Sequence, residues 1–390
     1  MVKHIKSIVS VIAVAFLVYI FTFYVDGEMG IILLAFVVFA PLVSLFFALY
    51  AQKRVKVSFD CDAYVLKGSY LEVTVTVRKT GAFPLAILEV CPYASETFRQ
   101  KVKKRKLTMF NEEKRTFTFR LDAVVGGNGE VGIYAVYSCG FLGFMRFPMK
   151  AKLPDPASVG VIPPLPDIKS SSELFRSIAD TVLTSDEEEE NDTAMLFSAN
   201  TTPGYEHREY VLGDPMKRIN WKLSSKKAKL MVRLDEAVAS VQPVIVLDLF
   251  RRSSVPAENA VRGEEQLIRA VFGLLFLLVK QGIACNFVYR DASGKSVMES
   301  VDNPDYPNQL LLKVLSIRVI PDKRVDLSEV GSSVCSCVIA TTDAGAGFSA
   351  VTDKLENKEN VSLIGLSVAS ANSTSLPLWY LDEENNFKMV

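Results

Sequence analysis

Pro243-Val-Ile-Val-Leu-Asp-Leu-Phe-Arg-Arg252 decides the architecture of the C-terminal half. Val244 to Leu247 is an unbroken apolar run closed by the Asp248 carboxylate. Such a run has no polar face to give to water, so it predicts a strand buried on both sides, as in a parallel sheet. The segments downstream agree with it. Arg262–Lys280 has the spacing of a helix with a broad apolar face, and Asn308–Ile317 and Phe348–Glu356 predict two more helices. Ile283–Tyr289, Val334–Thr341 and Val361–Gly365 predict further short strands. Strands alternating with helices make residues 243–390 an α/β domain with a mainly parallel sheet, whose ligands meet the carboxyl ends of the strands.

Upstream, residues 55–162 carry a different period. Leu71-Glu-Val-Thr-Val-Thr-Val-Arg78 alternates strictly between apolar and polar and is rich in β-branched side chains. Leu85–Tyr93, Lys114–Leu121 and Glu130–Ser138 predict strands at a spacing that suits a small β-sandwich. The basic run Arg99-Gln-Lys-Val-Lys-Lys-Arg-Lys106 suits a solvated strand edge or loop, or attraction to anionic lipid. Residues 163–203 form a junction with Pro163-Pro-Leu-Pro166 and the acidic run Asp186–Asp192. Charges of one sign at that density repel and favour an exposed loop.

At the other end lie two uncharged runs, Ser7–Val25 and Met29–Ala51, separated only by Asp26, Gly27 and Glu28. At about 1.5 Å per residue each covers a hydrocarbon core of ~30 Å. Residues 1–54 therefore predict a transmembrane helical hairpin, with Pro41 kinking the second helix. Lys3 and Lys6 precede it, Lys53, Arg54 and Lys56 follow it, and the turn is acidic. The positive-inside rule places both termini in the cytoplasm, in a multi-pass protein of the cell membrane.

Composition narrows the chemistry. The 390 residues hold 44 basic and 44 acidic side chains, so overall charge points to no nucleic-acid partner. The two histidines, His4 and His207, supply neither a multi-histidine metal site nor a histidine-based triad. Six cysteines without a C-x-x-C pair suit small buried hydrophobes in a reducing compartment.

Residues 204–242 concentrate the polar signal. Arg208-Glu209-Tyr210, Gly213-Asp214 and Arg218-Ile219-Asn220-Trp221 follow one another in a short span. Gly213-Asp214-Pro215 is a turn by composition, expected to join two extended segments, one ending at Val211 and one running through Trp221. Arg208, Glu209, Asp214 and Arg218 then form either an ion-paired hairpin anchored by a packed Trp221, or a docking surface for another protein. No nucleophile, metal cluster or phosphate loop accompanies the carboxylates, so no catalytic residue is assigned. Lys217, Arg218, Lys222, Lys226, Lys227, Lys229 and Arg233 make the segment basic. Anionic headgroups explain that charge more simply than nucleic acid, because only Trp221 is placed to stack on bases.

This ordered series resembles the signature of the domain-of-unknown-function 58 family, membrane-anchored proteins of bacteria and archaea often encoded beside MoxR-type AAA+ ATPases. The likeness extends over most of residues 5–365, with Ser138-Cys-Gly-Phe-Leu-Gly-Phe144 and Val161-Ile-Pro-Pro164 in place of a Pro-Phe-Gly turn and a Pro-containing junction. It implies a von Willebrand factor A-like C-terminal domain. Such domains hold Mg²⁺ through Asp-x-Ser-x-Ser and later Thr and Asp ligands. Here Asp248 is kept but Phe250 and Arg252 replace both serines, and Asp343 stands where the later acid would. Asp248 and Asp343 are therefore degenerate metal-site positions, and neither metal nor other cofactor is expected. The resemblance implies a non-enzymatic scaffold or adaptor whose partners are the lipid bilayer and a MoxR-type AAA+ ATPase. A metal-dependent ligand-binding module, or an anionic-lipid or nucleic-acid binder, is the alternative. No G-x-x-x-x-G-K-[ST] loop occurs, so any nucleotide-driven work belongs to another protein.

Overall fold

The structure is a computed structural model that describes residues 2–24, 27–52, 54–81, 84–99, 103–142, 146–149, 153–182, 201–210, 219–227, 229–237, 242–328, 336–345, 347–355, 360–366, 376–382 and 384–390. It is a multidomain mixed α/β protein with apolar helices at its N-terminus. The chain divides into two compact units. The first holds Met1–Pro164 with Val255–Glu265 and Leu312–Val319; the second holds Leu165–Ser254, Gln266–Leu311 and Ile320–Val390.

The first unit opens with helices α1 (Val2–Tyr24) and α2 (Gly27–Ala51). They pack closely where Gly30 meets Thr22, since a Cβ on Gly30 would lie 2.5 Å from the Thr22 Cα. Helix α2 is long and apolar enough to cross a membrane; among the described residues, α1 shows the shorter apolar stretch Ile12–Tyr24. Lys3 and Lys6 lie within α1 rather than ahead of it.

Two sheets follow. Strands β1 (Val55–Cys61), β3 (Tyr70–Lys79) and β6 (Lys114–Asp122) form one, in the order β1-β3-β6. Strands β2 (Tyr64–Leu66), β4 (Leu85–Ala94), β5 (Arg105–Met109), β7 (Gly127–Ser138) and β9 (Ala157–Ile162) form the other, in the order β2-β9-β7-β4-β5, with β8 (Phe147–Pro148) on β7. The period-two pattern works as expected in β3. Leu71, Val73, Val75 and Val77 point inward, and Val75 sits opposite Phe117 of β6. Their inner faces share one core with Leu88 and Val90 of β4, Val131 and Ile133 of β7, and Val159 and Val161 of β9. The layers are thus a face-to-face pair of sheets. Arg105 and Lys106 of the basic run fall on β5 at the sheet edge, where lysines and arginines discourage pairing with other chains.

In the second unit, residues 173–182 of the expected junction are helical (α3) and the acidic run lies outside the described residues. Strands β10 (Thr201–Glu209) and β11 (Met231–Ala237) pair antiparallel and flank a short helix α4 (Trp221–Lys227). Thr201–Pro203 thus belong to a strand, not to the junction. A seven-stranded sheet follows: β12 (Val244–Asp248), β13 (Cys285–Arg290), β14 (Ser296–Val301), β15 (Cys337–Thr341), β16 (Val361–Ile364), β17 (Leu378–Leu381) and β18 (Phe387–Met389). Its order is β14-β13-β12-β15-β16-β17-β18; the inner five run parallel and the two edges antiparallel. All five residues of β12 are buried, as the continuous apolar run requires. On one face Val244 and Val246 share a core with Phe348 and Val351. On the other, Phe272 of α5 (Ala257–Lys280) meets Phe287, ring centroids 5.6 Å apart. Helix α6 (Tyr306–Ser316) matches its expected place, whereas the helix expected over Phe348–Glu356 is only α7 (Ser349–Thr352), with 356–359 outside the described residues.

The cysteines of this sheet are inert by burial. Cys285 and Cys337 thiols are pushed up from 9.0 to about 12 by desolvation. The neutral thiol is the form the fold accepts, so the contribution of these two sites is intact below the unfolded-chain value and is lost as pH climbs from about 9 toward 12. Iodoacetamide at mildly alkaline pH is expected to leave Cys285 and Cys337 unmodified in the folded protein and to alkylate them once denaturant is added, read by peptide mass mapping. Equal rates with and without denaturant would contradict the burial.

Candidate functional site

Two places gather polar side chains with a reason to be there. The first is the carboxyl end of β12, where the parallel sheet opens. Asp248 is the last residue of the strand and its side chain is fully buried. A carboxylate there needs partners for both oxygens. Oδ1 accepts from the Val325 backbone N–H at 3.0 Å. Oδ2 accepts from Arg324 Nη1 at 2.9 Å and from the Thr341 hydroxyl at 3.1 Å. The second Arg324 nitrogen, Nη2, donates to the Asp343 carbonyl at 2.8 Å. Its guanidinium lies over the Phe250 ring, 3.9 Å from the centroid, with Phe348 at 5.5 Å. Arg252 pairs with the Asp343 carboxylate, which also accepts from the Gly345 N–H at 2.8 Å.

Asp248 and Asp343 are therefore brought together, but around an arginine. Two neighbouring side chains serve this arrangement: Phe250 stacks on Arg324 and Arg252 neutralises Asp343. The residues present do not fit a hard cation, which needs several convergent oxygens with lone pairs to spare. Both Asp248 oxygens are engaged and a fixed positive charge sits against them. Among the described residues no three His, Cys, Asp or Glu side chains converge. Calorimetry with Mg²⁺ or Mn²⁺ is expected to give no saturable heat that Asp248→Ala abolishes; a stoichiometric site lost in that variant would refute this.

The second place is the segment around α4. Strand β10 brings Glu209 to Lys229, whose ammonium lies 2.6 Å from the carboxylate. That hydrogen bond holds the Lys229 amine above its ordinary value. The Tyr210 N–H donates to the Leu230 carbonyl. Asn220 caps α4: its Oδ1 accepts from the Leu223 N–H at 3.1 Å, and its Nδ2 lies 2.8 Å from His207 Nε2. Ser224, the buried residue of the helix, accepts from the Met231 N–H at 2.8 Å. Gly213, Asp214 and Arg218 lie outside the described residues, and Arg208 is placed only by its backbone pairing with Val232.

Trp221 corrects an expectation. It is not a packed anchor at the end of an extended segment; it begins α4 and is 63% exposed. Asn220 caps the helix, and the short helix turns Ser224 inward, so Trp221 is left facing solvent. Lys222, Lys226, Lys227 and Lys229 are exposed around it, and Leu230 is 44% exposed. Sequence reasoning missed Arg324, whose role rests on a separation of 76 residues from Asp248. The one signal available was indirect: two acids without the serines of a metal site need a cation from elsewhere.

No family model and no curated protein matches the chain. Among solved structures, part of it is similar to the CARDB domain of the PF1109 protein from Pyrococcus furiosus, at 16% identity over 28% of this chain and 91% of that one, TM-score 0.22. Part is similar to a cohesin module from a Clostridium perfringens family 33 glycoside hydrolase, at 11% identity over 28% and 98%, TM-score 0.23. A third likeness is to Escherichia coli alpha-2-macroglobulin, at 17% identity over 29% of this chain and 17% of that one, TM-score 0.24. Likenesses at these values assign neither fold nor function to this chain.

Proposed function

We propose that this protein is a membrane-anchored, non-enzymatic adaptor whose soluble domains dock another protein through the exposed Trp221 and the lysines beside it. The observation that carries this reading is Trp221 at 63% exposure with Lys222, Lys226 and Lys227 on the same short helix. A large aromatic left in water among cations suits a partner that is apolar at the centre of the contact and acidic at its rim. The strand-end carboxylates, in contrast, are closed by Arg324 and Arg252 and offer no open position for chemistry.

In this reading α1 and α2 both span the bilayer, both termini are cytoplasmic, and the α/β unit is a von Willebrand A-like domain. The resemblance to the domain-of-unknown-function 58 family names the partner as a MoxR-type AAA+ ATPase, recruited to the membrane to remodel or assemble a client complex. Two measurements test this. Protease added outside intact spheroplasts is expected to leave residues 53–390 uncut; digestion without lysis would refute the topology. The solubilised protein is expected to co-purify with such an ATPase in at least one nucleotide state. If neither state gives a complex, and charge reversal at Lys226, Lys227 and Lys229 changes nothing, the adaptor reading fails.

A further inference from the structure

The end of α2 does not stop at a linker; it enters the core of the first sheet pair. Ala51 is fully buried and belongs to the same hydrophobic cluster as Val55, Leu85 and Val131. One and two turns earlier Ala48 and Ser44 are also buried, at 1% and 7% exposure. The loop after β7 covers Ser44. Gly140, at φ +65°, brings its backbone so close that a Cβ there would lie 2.8 Å from the Ser44 carbonyl oxygen. The Leu142 N–H donates to the Ser44 hydroxyl at 3.2 Å. Phe141 packs edge-on against Phe47 of the helix, centroids 4.9 Å apart, and stacks with Phe110 of the β5–β6 turn at 6.4 Å. That turn is pinned by the buried Lys79, whose ammonium donates to the Phe110 carbonyl at 2.6 Å. Thr80 holds the exit of the helix by donating to the Arg54 carbonyl through both its N–H, at 2.8 Å, and its hydroxyl, at 3.0 Å.

These fixed loops hold their apolar side chains outward. Phe110 is 58% exposed, Leu142 43% and Phe141 36%, beside Phe46 at 58% and Leu49 at 48% on the helix. Length says what they meet. The part of α2 left to lipid, Met29 to Val43, is about 15 residues, or ~22 Å at about 1.5 Å per residue. A hydrocarbon core is ~30 Å thick, so the bilayer extends several ångströms past Val43, to the level where Gly140 and Leu142 touch Ser44. Apolar side chains left exposed at that level face the zone between the acyl chains and the headgroups.

We infer that Phe110, Phe141 and Leu142 form a membrane-contacting rim that inserts into the interfacial zone of the bilayer and seats the first sheet pair directly on it. The occupant is lipid, because the patch is continuous with the lipid-facing side of α2. The inference rests on the reading of α2 as a membrane span, and its test separates the two. The full chain carries Phe110→Trp, Phe141→Trp or, as a control for the span, Phe36→Trp. Trp221 and Trp379 are replaced by Phe; among the described residues the Trp379 Nε1 has no hydrogen-bond partner to lose. Each variant is reconstituted into phosphatidylcholine vesicles with bromine on acyl carbons close to the glycerol or, in a second set, near the bilayer centre.

Phe36→Trp is expected to lose emission most with the deep bromines. Phe110→Trp and Phe141→Trp are expected to lose much of theirs with the shallow ones. If Phe36→Trp is quenched while neither loop variant is, the rim is overturned and the span stands. Blue-shifted but unquenched loop tryptophans would mean that a protein surface covers the patch, which also overturns it. If Phe36→Trp is unquenched by either lipid, the span itself fails and the rim with it.

Discussion

Arg324→Ala is expected to destabilise the second unit by about 3–5 kcal/mol, the cost of leaving a buried carboxylate without its counter-charge. Asp248 is fully buried and Arg324 is 12% exposed in its side chain, so water cannot take over the role of the missing guanidinium. At roughly 2–4 °C per kcal/mol for a domain of this size the melting temperature should fall by on the order of 10 °C. Both tryptophans, Trp221 and Trp379, lie in this unit, and their fluorescence follows its unfolding in detergent solution. Two further variants sharpen the result. Arg324→Lys should recover only part of the loss, because an ammonium cannot bond Asp248 and the Asp343 carbonyl at once while lying flat on Phe250. The double change Asp248→Asn with Arg324→Met should be less damaging than the sum of its parts, since neither charge is then stranded. Wild-type melting of Arg324→Ala would show that the ion pair does not hold these loops.

Trp221→Ala separates stability from association. At 63% exposure the indole leaves little behind when removed, and the melting transition should move by no more than about 0.5 kcal/mol. Binding to the proposed partner should weaken by about 2 kcal/mol or more, roughly 30-fold, as expected for a tryptophan at the centre of a contact. Lys226→Glu with Lys227→Glu should act differently, slowing association and making it less sensitive to salt. Surface plasmon resonance with immobilised membrane protein reads both constants. Unchanged affinity in Trp221→Ala would remove the patch from consideration. A packed tryptophan would have cost about 3–5 kcal/mol of stability instead, so one melting curve distinguishes the two environments.

Much of the architecture was legible because it is written in local periodicity. A period of two in Leu71–Arg78 and an unbroken apolar run in Val244–Leu247 each specify how many faces of a strand are buried, and both strands formed as read. The strands β14, β17 and β18 were not foreseen, being edge or near-edge elements of three to six residues, too short to set a period. Helix α3 was hidden by the prolines and the acidic run on either side of it.

By itself, the sequence determined the apolar length of α2 and the two kinds of sheet, since each depends on residue type and spacing alone. Tertiary structure decided the rest. That Arg324 lies against Asp248 follows from how a loop near residue 324 returns to the end of β12, a closure no local pattern encodes. Trp221 is exposed because Asn220 caps a helix and turns Ser224 inward, a matter of a few backbone angles. Phe110 and Phe141, far apart in sequence, share one surface only because β5 and β7 both pair with β4, while the Gly140–Ser44 contact holds the Phe141 loop against α2. Composition chooses which residues leave water, but partners distant in sequence are chosen by chain closure and packing.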